Sequence, residues 1–297
     1  MLTSVRIQNY RCLRDVTLEL GPLTVFVGPN ASGKTAIADG LTTSKAEPAD
    51  RWRQQNINAL WTSSSSSGSN CLQPDLALGP VNSRQKYLFL LSDLRGVQQA
   101  NEAWTLSGTG GNLANFFDTL AREEQEKFVS EFTRLVPVYS DIKARARDGY
   151  KRLQFQDRWQ PELWYEPNQV SDGTMLTAAF VALGFQRDAP KLAVIEDPDH
   201  GLHPYLQRHV ADRLRDLAEG KLGNKPIQIV CTTHSKAFLD YLRPEEVRFI
   251  NRNRETGATE IHKAPLDNPN WQQVYDRFQR SLGNMWMTGT LHGVPGS

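Results

Sequence analysis

The sequence predicts an α/β protein: a mixed sheet covered by helices, with a partly helical insertion. Three observations carry that expectation. Short β-branched runs alternate with helix-length segments through the second half of the chain, the pattern of parallel strands joined by crossover helices. A glycine-rich turn, Gly28-Pro29-Asn30-Ala31-Ser32-Gly33-Lys34-Thr35, links one apolar run to a helix. Another apolar run, Leu192 to Ile195, ends directly in two acids, Glu196 and Asp197.

Taken in order, Val5 and Ile7, the polar corner Gln8 to Arg11 and the alternating Val16 to Leu20 predict paired strands. Leu23 to Val27 reads as a buried strand and Ala36 to Leu41 as a helix. Residues 44–84 carry an unbroken serine run (Ser63 to Ser67) punctuated by Pro48, Pro74 and Pro80, which predicts a flexible insertion. Lys86 to Leu91 follows as a strand. Leu113, Phe116, Phe117, Leu120, Phe128, Phe132 and Leu135 have helical spacing, in two helices or one broken one. The helical part of the insertion is expected over 112–148. Phe155, Trp159, Trp164 and Tyr165 alternate with polar residues, as packing positions of strands do, rather than forming a platform for bases. Helices near 174–187, 204–219 and 235–242 then alternate with strands at Leu192 to Ile195 and Ile227 to Cys231. The tail reads strand, strand, helix (Val247 to Ile250, Thr259 to His262, Trp271 to Leu282). The expected division is an N-terminal lobe at 1–43, an insertion at 44–150 and a C-terminal lobe at 151–297.

Composition narrows the classes. Thirty-four basic against 33 acidic residues give no overall electrostatic pull toward nucleic acid. Hydrophobic residues at 39% supply a core and exclude a disordered or collagenous chain. No apolar run reaches the ~18–20 residues of a membrane helix, and the first residues lack the pattern of a secretory leader. Cys12, Cys71 and Cys231 are few, odd in number and far apart, which fits a cytoplasmic protein.

The turn at 28–35 satisfies G-x-x-x-x-G-K-[ST] between a strand and a helix, the context in which backbone N–H groups and a helix N-terminus cradle phosphates. Lys34 supplies a charge for the β- and γ-phosphates, and the Thr35 hydroxyl a ligand for Mg²⁺. Glu196 and Asp197 stand at the C-terminal end of a strand, where ligands of parallel sheets bind; one acid suits the metal and the other an attacking water. His234, after the next buried strand, can reach a γ-phosphate. His203 precedes a proline and reads as structural. These features predict nucleotide binding.

With these residues in view, the chain resembles ATPases of the SMC-like, RecF-like and OLD-like branch of the ABC-type P-loop proteins. The matching pieces run in that family's order: Asn9-Tyr10-Arg11, the Walker A loop at 28–35, Val170-Ser171-Asp172-Gly173-Thr174, Ile195-Glu196-Asp197-Pro198 with Gly201-Leu202-His203-Pro204, and Thr233-His234-Ser235. The closing Ser281-Leu282-Gly283-Asn284-Met285-Trp286 to Pro295 resembles the end of stand-alone bacterial members without a Toprim domain. The resemblance implies an ABC-ATPase-head fold with ATP and Mg²⁺ as cofactors. Asn30, Ser32, Gly33, Lys34 and Thr35 would hold the nucleotide, Thr35 and Glu196 the metal. Asp197 would be the catalytic carboxylate, His234 the switch histidine, and Arg11 would lie over the nucleotide. Ser171 and Gly173 would be the signature loop, touching ATP held by a second subunit in an ATP-dependent homodimer. By its residues alone, Ser171 reads as a helix N-cap, which is compatible with that role.

The chain departs from the pattern at three points. Asp172 stands where the signature often has glycine. Asp197 stands where glutamate is commoner, and a side chain one methylene shorter sits farther from the attacking water, which implies slow hydrolysis suited to a switch. The Q-loop glutamine is open among Gln54, Gln55, Gln98 and Gln99. The 135 residues between Walker A and signature are too few for SMC coiled-coil arms, and no Cys-x-x-Cys hook occurs there. The stretch after His234 has no acid cluster for metal-dependent cleavage, so a nuclease is not expected of the chain itself. The expected function is an ATP-driven switch of anti-phage defence or DNA maintenance, controlling an effector in trans. A RecF-like DNA clamp is the alternative, with Lys143 to Arg152 and Arg243 to Arg254 as DNA-facing stretches or as solvated faces. A kinase or GTPase fits poorly, since no Asn-Lys-x-Asp occurs.

Overall fold

The computed structural model describes residues 1–42, 83–222 and 226–292, with the backbone of 62–64. The chain opens with β1 (Ser4–Tyr10), β2 (Leu13–Glu19), β3 (Leu23–Val27) and α1 (Lys34–Thr42). Next come β4 (Thr62–Ser64), β5 (Arg84–Tyr87), α2 (Leu91–Leu94) and β6 (Gln98–Gln99). Helices α3 (Leu113–Thr119) and α4 (Arg122–Leu135) lead to β7 (Tyr139–Arg147), β8 (Tyr150–Asp157), β9 (Trp164–Tyr165) and α5 (Asp172–Ala182). Then follow β10 (Leu192–Glu196), α6 (Pro204–Ala218), β11 (Gln228–Thr233) and α7 (Lys236–Leu239). The last elements are β12 (Val247–Arg252), β13 (Thr259–Lys263), α8 (Trp271–Arg277) and α9 (Leu282–Met287). Two compact units result: Met1–Lys86 with Pro190–Asp199 and Ile227–Ser297, and Tyr87–Ala189 with His200–Pro226.

The first unit is organised by a six-stranded sheet of order β13-β12-β3-β11-β10-β5. Strands β12, β3, β11 and β10 are parallel, and β13 closes the edge antiparallel, so the sheet is mixed as expected. Every residue of β3 and β11 is buried, which is why β3 and, after Gln228, β11 read as continuous apolar or small-residue runs rather than alternating ones. The antiparallel β1–β2 ribbon instead buries alternate residues. Helix α1 contributes Ile37, Ala38 and Leu41 to one core with Ile7, Leu13, Leu18, Phe26, Val194 and Val230. Each large apolar side chain there stabilises by roughly 1.5–3 kcal/mol. Gln228 fixes the start of the chain to this sheet: its Nε2 donates to Leu2 O (2.7 Å) and Gly21 O (2.9 Å), and its Oε1 accepts from Leu2 N (2.8 Å).

In the second unit β8 lies between β6 and β7 and also pairs with β9. Phe132 of α4 meets Phe155 of β8 with ring centroids 5.6 Å apart, both rings fully buried. Lys143 lies 3.4 Å over the Trp164 ring, whereas Trp159 is exposed. Helix α5 is buried from Gly173 to Ala182, so its sequence is apolar all round. Helix α6 buries Val210, Ala211, Leu214, Leu217 and Ala218, one stripe of its surface. Pro204 occupies its first turn and His203 Nδ1 accepts from Tyr205 N, the structural role expected of that histidine.

Three expectations are corrected. Helix over 112–148 holds only to Leu135, because β7 begins at Tyr139. A register shift between Tyr139 and Asp141 leaves Tyr139 and Ile142 as the buried pair, and their spacing of three mimics a helix. The strand expected over Lys86 to Leu91 is β5, ending at Tyr87. The single helix expected from Trp271 breaks at Gln279 and Arg280, both with positive φ (54° and 58°), before Ser281 caps α9. The insertion expected over 44–84 lies outside the described residues, apart from the β4 backbone and residues 83 and 84. The sequence boundary at 150 falls at the turn of the β7–β8 hairpin. Among the described residues no helix is long and apolar enough to cross a membrane.

Gln228→Leu should strand the Leu2 N–H and two carbonyls in a buried setting and lower stability by about 2–4 kcal/mol. Urea denaturation checks this, and an unchanged midpoint would contradict the pinning role.

Candidate nucleotide site

Strand β3 runs straight into the loop at 28–33, and α1 starts at Lys34. The two glycines of the motif are fixed by crowding. A Cβ on Gly28 would come within 2.3 Å of the Ile250 carbonyl oxygen, and one on Gly33, whose φ is +113°, within 2.6 Å of Thr259 Oγ1. Thr259 Oγ1 donates to Ser32 O (3.0 Å) and Arg252 Nη1 to Ala31 O (3.3 Å), so the β12–β13 hairpin braces the loop from outside. Asn30 and Thr35 are exposed, while Ser32 and Lys34 are buried. Lys34 Nζ donates to Gly28 O (2.7 Å) and Pro29 O (2.8 Å). Burial pushes its pKa below the usual lysine value, with Asp197 acting in the opposite sense. Ser32 Oγ is buried with no hydrogen-bond partner among the described residues, a polar group inside the loop that a phosphate oxygen would satisfy.

Strand register gathers the other candidates on the same edge. Val27, the last residue before the loop, pairs with Thr233; Glu196 pairs with Thr232. The loop, the acid pair and His234 therefore leave the sheet at the C-terminal ends of three adjacent parallel strands. Asp197 turns out of β10 with φ +44°, its N–H held by Thr232 O at 3.1 Å. Its Oδ1 lies 3.5 Å from His234 Nδ1. Aspartate enters the left-handed region more readily than most side chains, so the sharp exit from the strand suits the shorter acid.

Glu196 behaves differently from its neighbour. Its side chain is 8% exposed, and Oε2 lies 2.9 Å from Lys86 Nζ of β5. The same ammonium reaches Asp39 Oδ1 of α1 at 2.5 Å, and Asp39 Oδ2 takes Arg11 Nη1 at 2.6 Å. Arg11, with φ 51° in the turn between β1 and β2, is thus tied to α1. Burial works against the charge on Lys86, but Asp39 and Glu196 outweigh it and hold its pKa above the usual lysine value. Neither Lys86 nor Asp39 is marked by a motif. The only trace in the sequence is Asp39's place one helical turn beyond Thr35.

Ser171 and Gly173 lie in the second unit, at the N-terminus of α5. Ser171 Oγ accepts from Thr174 N at 3.2 Å, the N-cap anticipated for it. Arg95 grips this loop through Pro167 O, Val170 O and Asp172 Oδ1. Gln98 and Gln99 form β6 in the same unit, and Gln54 and Gln55 lie outside the described residues. A hydroxyl from Thr35 and a carboxylate from Glu196 are hard oxygen donors that fit Mg²⁺, which takes few protein ligands when phosphates supply the rest. Among the described residues no group of three or more His, Cys, Asp or Glu could hold a metal without such help.

Next to the edge, Asp199 accepts from Thr233 Oγ1 at 2.6 Å. Burial raises its pKa above the 3.8 of a free aspartate, against the hydrogen bond from Thr233. Between those two values the folded chain binds the proton more tightly than the unfolded one, so this group's contribution to stability falls as pH rises. Asp199→Asn keeps an acceptor for Thr233 and removes the charge. The variant should match wild type below the free-aspartate value and become the more stable protein as pH rises past it. Urea titrations across a pH series check the sign.

Residues 73–240 match the family model described as an AAA domain, putative AbiEii toxin, Type IV TA system, and residues 1–57 match an AAA ATPase domain. The chain is 57% identical to a protein of Thermus scotoductus named OLD nuclease, with 94% of this chain and 67% of that protein covered. That alignment runs over 360 positions, more than this chain's 297 residues, so part of the relative has no counterpart in it. Among solved structures, an SMC head bound to the C-winged helix domain of ScpA matches with TM-score 0.59 at 11% identity, covering 90% of this chain and 98% of that one. The SMC head domain from Thermotoga maritima gives TM-score 0.52 at 13% identity, covering 89% and 99%. These likenesses establish an SMC-head-like fold, and the matched models and the relative establish the family: the chain belongs to the AAA-domain ATPases, as an OLD-like P-loop ATPase.

Proposed function

We propose that this ATPase is a slow, dimerising switch of bacterial anti-phage defence or DNA maintenance that controls an effector in trans. The observation that carries its chemistry is the register that levels Val27, Glu196 and Thr233 at one sheet edge. Phosphates entering the 28–35 loop meet backbone N–H groups, the α1 N-terminus and Ser32 Oγ, and draw Lys34 Nζ from the carbonyls it now holds. Thr35 and Glu196 would hold Mg²⁺, which would neutralise phosphate charge. Asp197 orients the attacking water, and His234, on the same carboxylate, senses the γ-phosphate. The missing methylene of Asp197 sets that carboxylate back and slows the step, which keeps the ATP-bound state long-lived. Ser171 and Gly173, at a capped helix N-terminus, serve the ATP of a second copy in a homodimer.

The OLD relative is named a nuclease. For this chain the reading assigns ATP hydrolysis to the head and any cleavage to its effector, in the cytoplasm. An SMC head of this fold bound to ScpA supports partner control. DNA binding is the second reading. In the β7–β8 hairpin Arg145 stands directly across from Arg152, beside Lys143 and Arg147, a like-charge arrangement that a phosphate backbone would relieve. Lys151, Arg152 and Arg147 already pair with Asp118, Glu166 and Asp148. Arg248, in the second basic stretch, is buried and donates to Glu19, Glu245 and Val247 carbonyls, so it is part of the fold.

ATP hydrolysis and sizing in ATP test the proposal. Lys34→Ala should lose hydrolysis by tenfold or more, and Asp197→Ala should stop turnover yet accumulate an ATP-bound dimer. A monomeric Asp197→Ala beside a normally active wild type contradicts the composite site. A salt-dependent DNA shift seen only with ATP would favour the clamp, and metal-dependent DNA cleavage by the chain alone would contradict the division of labour.

A further inference from the structure

Among the described residues at this edge, Lys86 is a cation that neither the motifs nor the proposed reaction uses. It sits between two carboxylates, Glu196 at 2.9 Å and Asp39 at 2.5 Å, and Arg11 completes an alternating chain of charges by holding the other oxygen of Asp39 at 2.6 Å. Two cations and two anions leave the group electrically neutral. The Glu196 side chain is 8% exposed, and Lys86 is the cation that faces its Oε2. An ammonium on the proposed metal ligand has two consequences of fixed sign. It lowers the negative potential that a divalent cation would seek at Glu196, and it lowers the repulsion that a polyphosphate would meet there.

We propose, building on the nucleotide-site reading above, that Lys86 is a resident cation of the phosphate site. It stands in for part of the metal's charge, so the chain binds a nucleoside triphosphate with weak dependence on Mg²⁺. The Asp39–Arg11 pair holds the ammonium in place, since Asp39 lies between both cations. Mg²⁺ binding at Glu196 then requires the ammonium to yield its hold on Oε2 or to share the carboxylate.

The test is equilibrium binding of a non-hydrolysable ATP analogue to the full chain by calorimetry, in EDTA and in excess MgCl₂. The readout is the ratio of the two dissociation constants, metal-free over metal-bound. Wild type is expected to show a small ratio. Lys86→Met should raise it by about tenfold or more, mainly by weakening metal-free binding, and Lys86→Arg should restore the wild-type value. Thermal melts report whether each variant is folded. If Lys86→Met fails to fold, Asp39→Asn decides: relieved of one carboxylate, the ammonium should favour the metal-free nucleotide further and lower the ratio. A ratio unmoved by Lys86→Met, or raised by Asp39→Asn, overturns the proposal. Absence of binding by wild type in both buffers, or equal binding by Lys34→Ala, overturns instead the nucleotide-site reading on which it rests.

Discussion

The site depends on a contact between backbones. Gly28 lies so close to the Ile250 carbonyl that no side chain fits, and Gly33 turns left-handed against Thr259. Those approaches exist because β12 is the parallel neighbour of β3, placing a strand more than two hundred residues away beside the loop. The loop is therefore shaped by the sheet as much as by its own sequence. With its glycines seated, α1 begins at Lys34, and the ends of β11 and β10 fall level with the loop.

Electrostatics complete what the backbone starts. Each buried or half-buried charge on this edge is held: Lys34 by loop carbonyls, Glu196 by Lys86, Asp199 by Thr233. Asp197 and His234 face each other at 3.5 Å, with Asp197 32% exposed and His234 48%. The paired groups set the resting charge of the site, and the more open pair remains accessible to a ligand. The division is the one the proposed switch needs, in which phosphates draw Lys34 from its carbonyls.

Much of this was legible in the sequence, for physical reasons that also mark where legibility ends. The phosphate loop is contiguous, so its glycines, Lys34 and Thr35 could be read directly. Glu196, Asp197 and His234 each follow an apolar run, and a polar residue after a buried parallel strand lands on the ligand edge. Lys86 and Thr259 carry no such mark, because they reach the site through a sheet order that sequence proximity does not reveal, and Asp39, although it follows the loop on α1, shows its role only once Lys86 is beside it. Tyr139 and Ile142 were masked by an irregular register that gives a strand helical spacing. Ser171 was readable as a cap from its place before an apolar helix; its service to a second subunit rests on resemblance.

The most direct test is a crystal structure with a non-hydrolysable ATP analogue and Mg²⁺. The account predicts phosphates within residues 28–35, Lys34 Nζ moved from the Gly28 and Pro29 carbonyls onto them, and Asp197 and His234 on the γ-phosphate side. A nucleotide bound elsewhere, with Lys34 still hydrogen-bonded to those carbonyls, would contradict it.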